Sequence, residues 1–129
     1  MSDFRIIEVK FRFSDEFRTE EEYQNLYKEF DKVLVDDLKF ADHVVTSNYF
    51  LFTNTLNVIT IKQKIDEVIE KHSWVKNDFI VISVSTVKVG LSLYVNHYKK
   101  PDGEWVMIAP ADLYNLLRSQ TIVRRGNYS

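Results

Sequence analysis

VKVGLSLYVNHYKKPDGEWVMIAP, residues 87–110, is the stretch of sequence that decides the fold class. Apolar residues recur at every second position in its first half, at Val87, Val89, Leu91, Leu93 and Val95. This is the period of a β-strand with one buried face. Lys100-Pro101-Asp102-Gly103 then predicts a tight turn, because proline presets φ at the second position and glycine tolerates positive φ at the fourth. Trp105–Ile108 returns as the last strand.

A short apolar run, Phe79–Val84, precedes this stretch and predicts another strand. Ser85-Thr86 between the two is either a tight turn or a bulge within one long strand, and the pattern leaves both alternatives open. Three consecutive strands with short connections are antiparallel neighbours. The second half of the chain therefore predicts a largely antiparallel sheet.

Two further strands are predicted in the first half of the chain. Apolar and charged residues alternate over Phe4–Phe13, so this strand should have one solvent-exposed face. Val44–Thr53 is rich in β-branched and aromatic residues, and its run Tyr49–Phe52 is apolar on both faces. Because a strand that is apolar on both faces suits a buried position, we expect this one to lie centrally in the sheet.

Helical periodicity separates these strands. Thr19 and Glu22 have the spacing of a capping box, and an apolar stripe follows, which predicts a helix over Glu20–Leu38. The same spacing recurs from Thr60 and predicts a second helix over Ile61–His72. A short third helix is predicted from Pro110, since proline suits a first helical position.

The predicted order of elements is β-α-β-α-β-β-β-α, in one domain spanning residues 1–129. It predicts an α+β two-layer sandwich, a largely antiparallel sheet with helices on one face. The early β-α-β-α-β order is also compatible with a ferredoxin-like arrangement, which is an analogy of fold and says nothing about function.

Composition excludes several classes of chemistry. The chain has 129 residues, of which 45% are apolar and 28% charged, and it contains no cysteine. Thiol catalysis, disulfides and thiolate zinc sites are thereby excluded. Its three glycines cannot form a phosphate-binding loop or a dinucleotide fingerprint. No run of 18 apolar residues and no leader pattern is present, so we expect a cytoplasmic protein without a membrane partner and without a cofactor.

One enzymatic hypothesis survives, a metal-dependent phosphodiesterase or nuclease built on Glu8 and Lys10. Two residues apart on a strand, they point to the same face, where a carboxylate and a lysine can serve a Mg²⁺ site. Such a site needs a further carboxylate from a neighbouring strand, and Val44–Thr53 offers none. This hypothesis ranks third, and we expect a protein without catalytic residues.

Nucleic-acid binding is the second hypothesis. Residues 1–60 carry seven Lys/Arg against twelve Asp/Glu, and residues 61–129 carry ten against seven. The late basic residues are interleaved with aromatic ones that can stack on bases, and the candidates are Lys99, Lys100, Arg124 and Arg125 with Tyr94, Tyr98 and Trp105. The sequence pI of about 5.9 is low for a nucleic-acid-binding domain.

The leading hypothesis is a small interaction protein, a regulator, inhibitor or assembly subunit, that binds another protein or a second copy of itself. Aromatic residues make up 14% of the chain and commonly anchor interfaces. Tyr94 and Tyr98, together with Trp105, either form an exposed patch or are covered by the third helix. The small residues Gly90, Ser92 and Asn96 around Tyr94 would permit close approach of a second copy, and so we expect a homodimer.

Overall fold

The computed structural model of the protein describes residues 4–42, 48–88 and 91–116, with the backbone alone at 42, 87–88 and 91–94. The strands are β1 Arg5–Arg12, β2 Ala41–Asp42, β3 Asn48–Thr53, β4 Phe79–Lys88, β5 Leu91–Lys99 and β6 Trp105–Ile108. The helices are α1 Glu20–Lys32, which continues as a π-helical turn over Val33–Asp37, α2 Val58–His72, and α3 over residues 110–116.

All pairs in the sheet are antiparallel, in the order β2-β3-β1-β4-β5-β6. The predicted α+β class with an antiparallel sheet is confirmed. β3 and β4 both flank β1 and are parallel to each other, so α2 carries the chain across β1. That unit resembles the split β-α-β unit of ferredoxin-like folds. The first unit has the same arrangement, because α1 leads from β1 to β2, which is parallel to β1 and separated from it by β3.

β1 and β4, and not β3, are the two middle strands of the sheet, which corrects the central position predicted for Val44–Thr53. β3 is second from the edge, next to the two-residue strand β2. Tyr49 of β3 is buried, whereas Phe50 and Phe52 on its other side are 37% and 63% exposed. The strand is apolar on both faces although only one face is covered. Residues 43–47 of the predicted strand lie outside the described residues.

The main core lies on the face of the sheet against which α1 and α2 pack, which we call the helical face. Ile7, Val9 and Phe11 of β1 alternate onto this face and are buried, and the Phe11 ring centroid lies 4.5 Å from that of Phe30 in α1. Ile65 of α2 is fully buried in the same cluster. Burial of each such side chain contributes about 1.5–3 kcal/mol, so this face carries most of the apolar stabilisation.

The opposite face of the sheet, which we call the far face, is covered in part by α3. Phe79, Val81 and Tyr98 form a second buried cluster with Leu113 of α3. The expectation that the two early helices cover one face is confirmed, and the third helix covers part of the opposite face, which was one of the two alternatives for Tyr98. The physical reason is that β4 and β5 are also apolar on the far face and need a cover of their own.

The ends of the helices were predicted with mixed success. The capping box at α1 is confirmed, with Thr19 Oγ1 accepting from the Glu22 amide at 3.1 Å and Glu22 Oε1 accepting from the Thr19 amide at 2.8 Å. α2 begins earlier than predicted, because Asn57 is the cap and accepts from the Thr60 amide at 3.0 Å. Leu38 lies beyond the π-helical turn, outside the helix.

The β4–β5 connection corrects another prediction. Lys88 pairs with Leu91 in an antiparallel ladder, so β4 ends and β5 begins within this stretch; Val89 and Gly90 lie outside the described residues. Ser85-Thr86 is neither a turn nor a bulge, because the register runs without interruption through it. The alternation from Val87 to Val95 thus belongs to two strands, and a period of two alone does not reveal such a tight connection.

The β5–β6 turn is confirmed. Gly103 has a φ of 94°, which favours glycine, and its amide donates to the Lys100 carbonyl at 2.8 Å. The turn brings Lys99 opposite Trp105. This pairing positions the candidate site described below.

A buried ion pair joins the loops at the ends of α1 and α2. The Arg18 guanidinium donates to both carboxylate oxygens of Asp78, at 2.8 and 2.5 Å, and also to the Ser73 carbonyl at 2.9 Å. Asp78 further accepts from the amides of Ser14 and Val75. Both charged side chains are almost fully buried. A bidentate pair with these additional backbone hydrogen bonds fixes the geometry of the loops, since breaking it would leave a buried charge.

Candidate binding surfaces

Lys99, Asp66, Trp74 and Trp105 form a compact group on the helical face, here called the Trp–Lys cluster. The ammonium of Lys99, a residue only 6% exposed, donates to Asp66 Oδ1 at 3.1 Å and to the Gly103 carbonyl at 2.8 Å. It lies 5.1 Å from the ring centroid of Trp74 and 5.4 Å from that of Trp105. The charge of Lys99 is therefore balanced by a carboxylate and by two aromatic rings.

The two tryptophans attach the β5–β6 hairpin to α2. Trp105 Nε1 donates to both carboxylate oxygens of Asp66, at 3.1 and 3.2 Å. Trp74, which follows the end of α2, donates from Nε1 to the carbonyls of Lys100 and Pro101, at 3.1 and 3.0 Å. The hairpin turn is thus held from both sides, and the indole N–H groups are occupied.

A cleft of about 420 Å³ opens beside the Trp–Lys cluster, at the C-terminal half of α2. Its lining residues are Asp66, Ile69, Glu70, Ser73, Trp74 and Lys99. Glu70 is exposed and makes no ion pair with any residue that the structure describes. The volume is within the range of ligand pockets.

His97 lies two residues before Lys99 on the same strand. Burial lowers the pKa of His97, and the nearby charge of Lys62 lowers it further. Lys62 itself lies 5.4 Å from the Trp105 ring centroid, and burial lowers its pKa as well. His97 Nδ1 is buried without a hydrogen-bond partner among the described residues. Histidine at this position is therefore neutral at pH 7.

A second candidate surface lies on the far face over β1 and β3. It consists of Phe4, Ile6, Phe50 and Phe52, here called the open-face patch. These side chains are 44%, 42%, 37% and 63% exposed. The rings of Phe4 and Phe52 are stacked in parallel, with centroids 4.6 Å apart.

Glu8 and Lys10 border the open-face patch. Lys10 Nζ lies 3.5 Å from Glu8 Oε1, and the Asn48 side chain donates to Glu8 Oε2 at 3.3 Å. Both residues lie on the same face, as predicted. Within residues 4–42, 48–88 and 91–116, no group of three or more histidine and carboxylate side chains is placed to hold a metal ion. The metal-dependent hypothesis for Glu8 and Lys10 therefore gains no support.

The aromatic residues predicted to form one patch lie on opposite faces of the sheet. Tyr98 is 6% exposed and packs with Leu113 of α3. Of the two alternatives for this residue, cover by the third helix is therefore the correct one. Trp105 packs against the core of the helical face. The side chain of Tyr94 lies outside the described residues. Tyr98 and Trp105 thus do not form a joint surface.

The burial of Asn96 contradicts one step of the argument from which the homodimer was predicted. It was expected to be a small outward residue, but it is 1% exposed and accepts a hydrogen bond from Ser83 Oγ at 2.7 Å. The side chain of Ser92 and all of Gly90 lie outside the described residues. Close approach of a second copy at Asn96 is therefore blocked, because the site is already filled.

The predicted basic residues contribute little free charge where the structure describes them. Lys99 is buried and bound to Asp66. Lys100 Nζ lies 3.2 Å from Asp102 and 3.5 Å from Glu104, and the hydrogen bond to Asp102 raises the pKa of Lys100. Arg124 and Arg125 lie outside the described residues. The two described lysines are engaged, which leaves them poorly placed for phosphate contacts.

Asp66 and Trp74 carried no sequence prediction. A signal was present for Asp66 alone, because Asp66 and Glu70 are four residues apart and so share one side of the predicted helix. The missing information was the partner, since Lys99 and Trp105 come from a hairpin about thirty to forty residues further along the chain.

Comparison of the chain with protein-family models, with curated proteins and with solved structures found no significant match. Of the helices in the described part of the chain, none has the length and apolar character that crossing a bilayer requires. The function of the protein is accordingly inferred from the two surfaces described above.

Proposed function

We propose that the protein acts by binding another protein through the open-face patch, and that one such partner is a second copy of the chain. The observation that carries this proposal is the stacked pair of Phe4 and Phe52, 44% and 63% exposed on the far face. Single exposed apolar residues are common on protein surfaces. Contiguous aromatic residues at a strand surface are typical of interface anchors.

The size of the open-face patch indicates a weak association. Its four side chains expose roughly 300–400 Å², when a whole aromatic side chain is taken as about 200 Å². A standard interface buries about 800 Å² on each partner. We therefore expect a dimer that forms reversibly and depends on protein concentration.

The charges beside the patch favour a second copy as the partner. Glu8 and Lys10 have opposite signs and lie side by side on the far face. A two-fold axis through the patch allows Glu8 of one copy to face Lys10 of the other while the phenylalanines pack together. The same strand thus supplies both the apolar contact and a self-complementary pair of charges.

The test is the substitution Phe52→Asp, which places a charge in the centre of the patch without disturbing the buried core. The mass of the wild-type protein, measured by light scattering from low to high micromolar concentration, should rise towards that of a dimer, and the mass of Phe52→Asp should stay monomeric. Met107→Asp is the matched control, because Met107 is 74% exposed on β6, on the helical face. It should behave as the wild type.

A wild-type protein that stays monomeric at every concentration would overturn the second copy as partner. An equal loss of dimer in Met107→Asp would show that the open-face patch is not the interface. A salt titration with DNA and RNA oligonucleotides distinguishes the nucleic-acid hypothesis from this proposal, because phosphate contacts weaken steeply with salt. Negligible binding at physiological salt is expected, and tight binding would contradict the proposal.

A further inference from the structure

We infer that the cleft beside the Trp–Lys cluster binds a guanidinium group on an aliphatic stem, the side chain of an arginine presented by a partner protein. The cleft lies on the helical face and the open-face patch on the far face, so this inference does not depend on the proposed dimer. It follows from which hydrogen-bonding groups of the cleft are already occupied and which are free.

The strong donors at the cleft are occupied. Lys99 uses two of its three protons on Asp66 and Gly103, and the third side of its ammonium faces aromatic rings. The indole N–H of Trp74 is taken by two carbonyls, and that of Trp105 by Asp66. Among the described lining residues, the Ser73 hydroxyl is the one side-chain donor that remains. An anion would therefore find few partners.

The acceptors, by contrast, are available. Glu70 is exposed and forms no ion pair with the described residues, and the Asp66 side chain is 40% exposed despite its bonds to Lys99 and Trp105. The two carboxylates are four residues apart on one side of α2. The negative end of the α2 dipole lies close by, and it also favours a cation. The lining of the cleft therefore carries two carboxylates against one lysine.

The walls of the cleft suit the stem of the ligand. Ile69, which is 6% exposed, forms an apolar floor, and the Trp74 indole offers only its ring because its N–H is engaged. Aromatic rings attract guanidinium groups, which are planar, weakly hydrated and able to bond carboxylates at two points. The methylene groups of an arginine can lie on Ile69 while its charge reaches Glu70. An open cleft of about 420 Å³ accommodates one such side chain.

The test is a titration of the full chain with Nα-acetyl-arginine amide, followed through the Trp74 indole N–H resonance in the NMR spectrum. Nα-acetyl-citrulline amide has the same shape without the charge and is the matched ligand control. We expect a saturable shift with the arginine compound and none with the citrulline compound. In Glu70→Gln the arginine compound should bind about fivefold more weakly, the factor that corresponds to loss of one exposed charge pair.

Glu67→Gln is the matched protein control. Glu67 is an exposed carboxylate on the same helix, and its Oε2 lies 4.0 Å from Lys64 Nζ. It is not part of the cleft lining. Unchanged binding in Glu67→Gln, and in Phe52→Asp, supports the cleft as the site. Equal binding of the citrulline compound would overturn the inference, and so would an equal loss in Glu67→Gln and Glu70→Gln. Neither result would bear on dimer formation.

Discussion

The far face of the sheet has two halves that resemble each other in composition and differ in cover. Over β4 and β5, Val81 and Tyr98 are buried beneath Leu113 of α3. Over β1 and β3, Ile6 and Phe52 are 42% and 63% exposed. Apolar side chains on a strand therefore do not reveal by themselves whether they belong to a core or to an interaction surface.

The difference between the halves has a geometric cause. The seven described residues of α3 span about 10 Å, which is about two strand spacings. This described part of α3 follows β6, and its Leu113 packs over Phe79, Val81 and Tyr98 of β4 and β5. A polar row crosses both halves at one level, formed by Glu8 on β1, Ser83 on β4 and Asn96 on β5, and it separates Val81 and Tyr98 from Ile6 along the strand direction. Among the described residues, contact with Leu113 of α3 distinguishes the buried cluster from the exposed patch on this face.

The largest expected effect compares one residue from each half. Tyr98→Ala should lower the free energy of unfolding by about 3–5 kcal/mol, because it removes a buried aromatic side chain and leaves a cavity. Phe52→Ala should lower it by less than about 1 kcal/mol, because Phe52 is already largely in water. Urea unfolding measures both. Similar losses in the two variants would mean that the halves do not differ as described.

The next effect concerns the polar row. Ser83→Ala should cost about 1–2 kcal/mol, because Asn96 Oδ1 loses its donor inside a buried site. Asn96 Nδ2 already has no partner among the described residues. Adding Asn96→Leu to Ser83→Ala should recover stability, since an apolar pair leaves no buried polar atom unpaired.

Thermal and urea unfolding of the Ser83 and Asn96 variants, single and double, provide the measurement. A double variant that is less stable than Ser83→Ala would show that the Asn96 amide has a partner that the hydrogen-bond pattern does not reveal. It would also mean that the polar row contributes to the stability of the folded protein.

The smallest expected effect concerns the burial of His97 on the helical face. Because burial and Lys62 lower its pKa, the unfolded chain binds the proton more readily than the folded one. The stabilisation is complete above the ordinary pKa of about 6.5 and is lost as the pH falls through the pKa of the folded state. Unfolding measured from about pH 7 down to about pH 5 should show a decline that His97→Gln reduces.

The Lys62→Gln variant separates the two causes at His97. Removing the charge should raise the pKa of His97 towards its ordinary value, and burial should still hold it below that value, as the ring resonances will show in an NMR titration. A pKa of His97 at or above the ordinary value in the wild type would contradict the described burial.

Local patterns predicted much of the fold. The alternation in β1, the capping box at Thr19 and the Pro-Asp-Gly turn each depend on residues close together in sequence, and each is present. The predictions that failed depend on distant residues. The position of β3 in the sheet depends on which strands pair, and the apolar character of its second face does not contain that information.

The candidate site was harder to predict because register decides which side chains share a face. Tyr98 and Trp105 are both aromatic residues beside one hairpin, but the turn pairs Trp105 with Lys99 and Val106 with Tyr98. A shift of one residue would have put them together. Lys99 and Trp105 were two of the seven candidate binding residues, but their shared partner, Asp66, is on a helix that precedes both strands and was not predicted.

The position of β1 between β3 and β4 bears on how the chain folds as it leaves the ribosome. β1 is synthesised before both neighbours, and its pairing with β4 joins residues roughly 70–80 positions apart. Until β4 emerges, one edge of β1 and its apolar row of Ile7, Val9 and Phe11 lack their final cover. Pairings of such long range form slowly and leave strand edges open to other chains. The nascent protein therefore has an unpaired β1 edge until β4 has been synthesised.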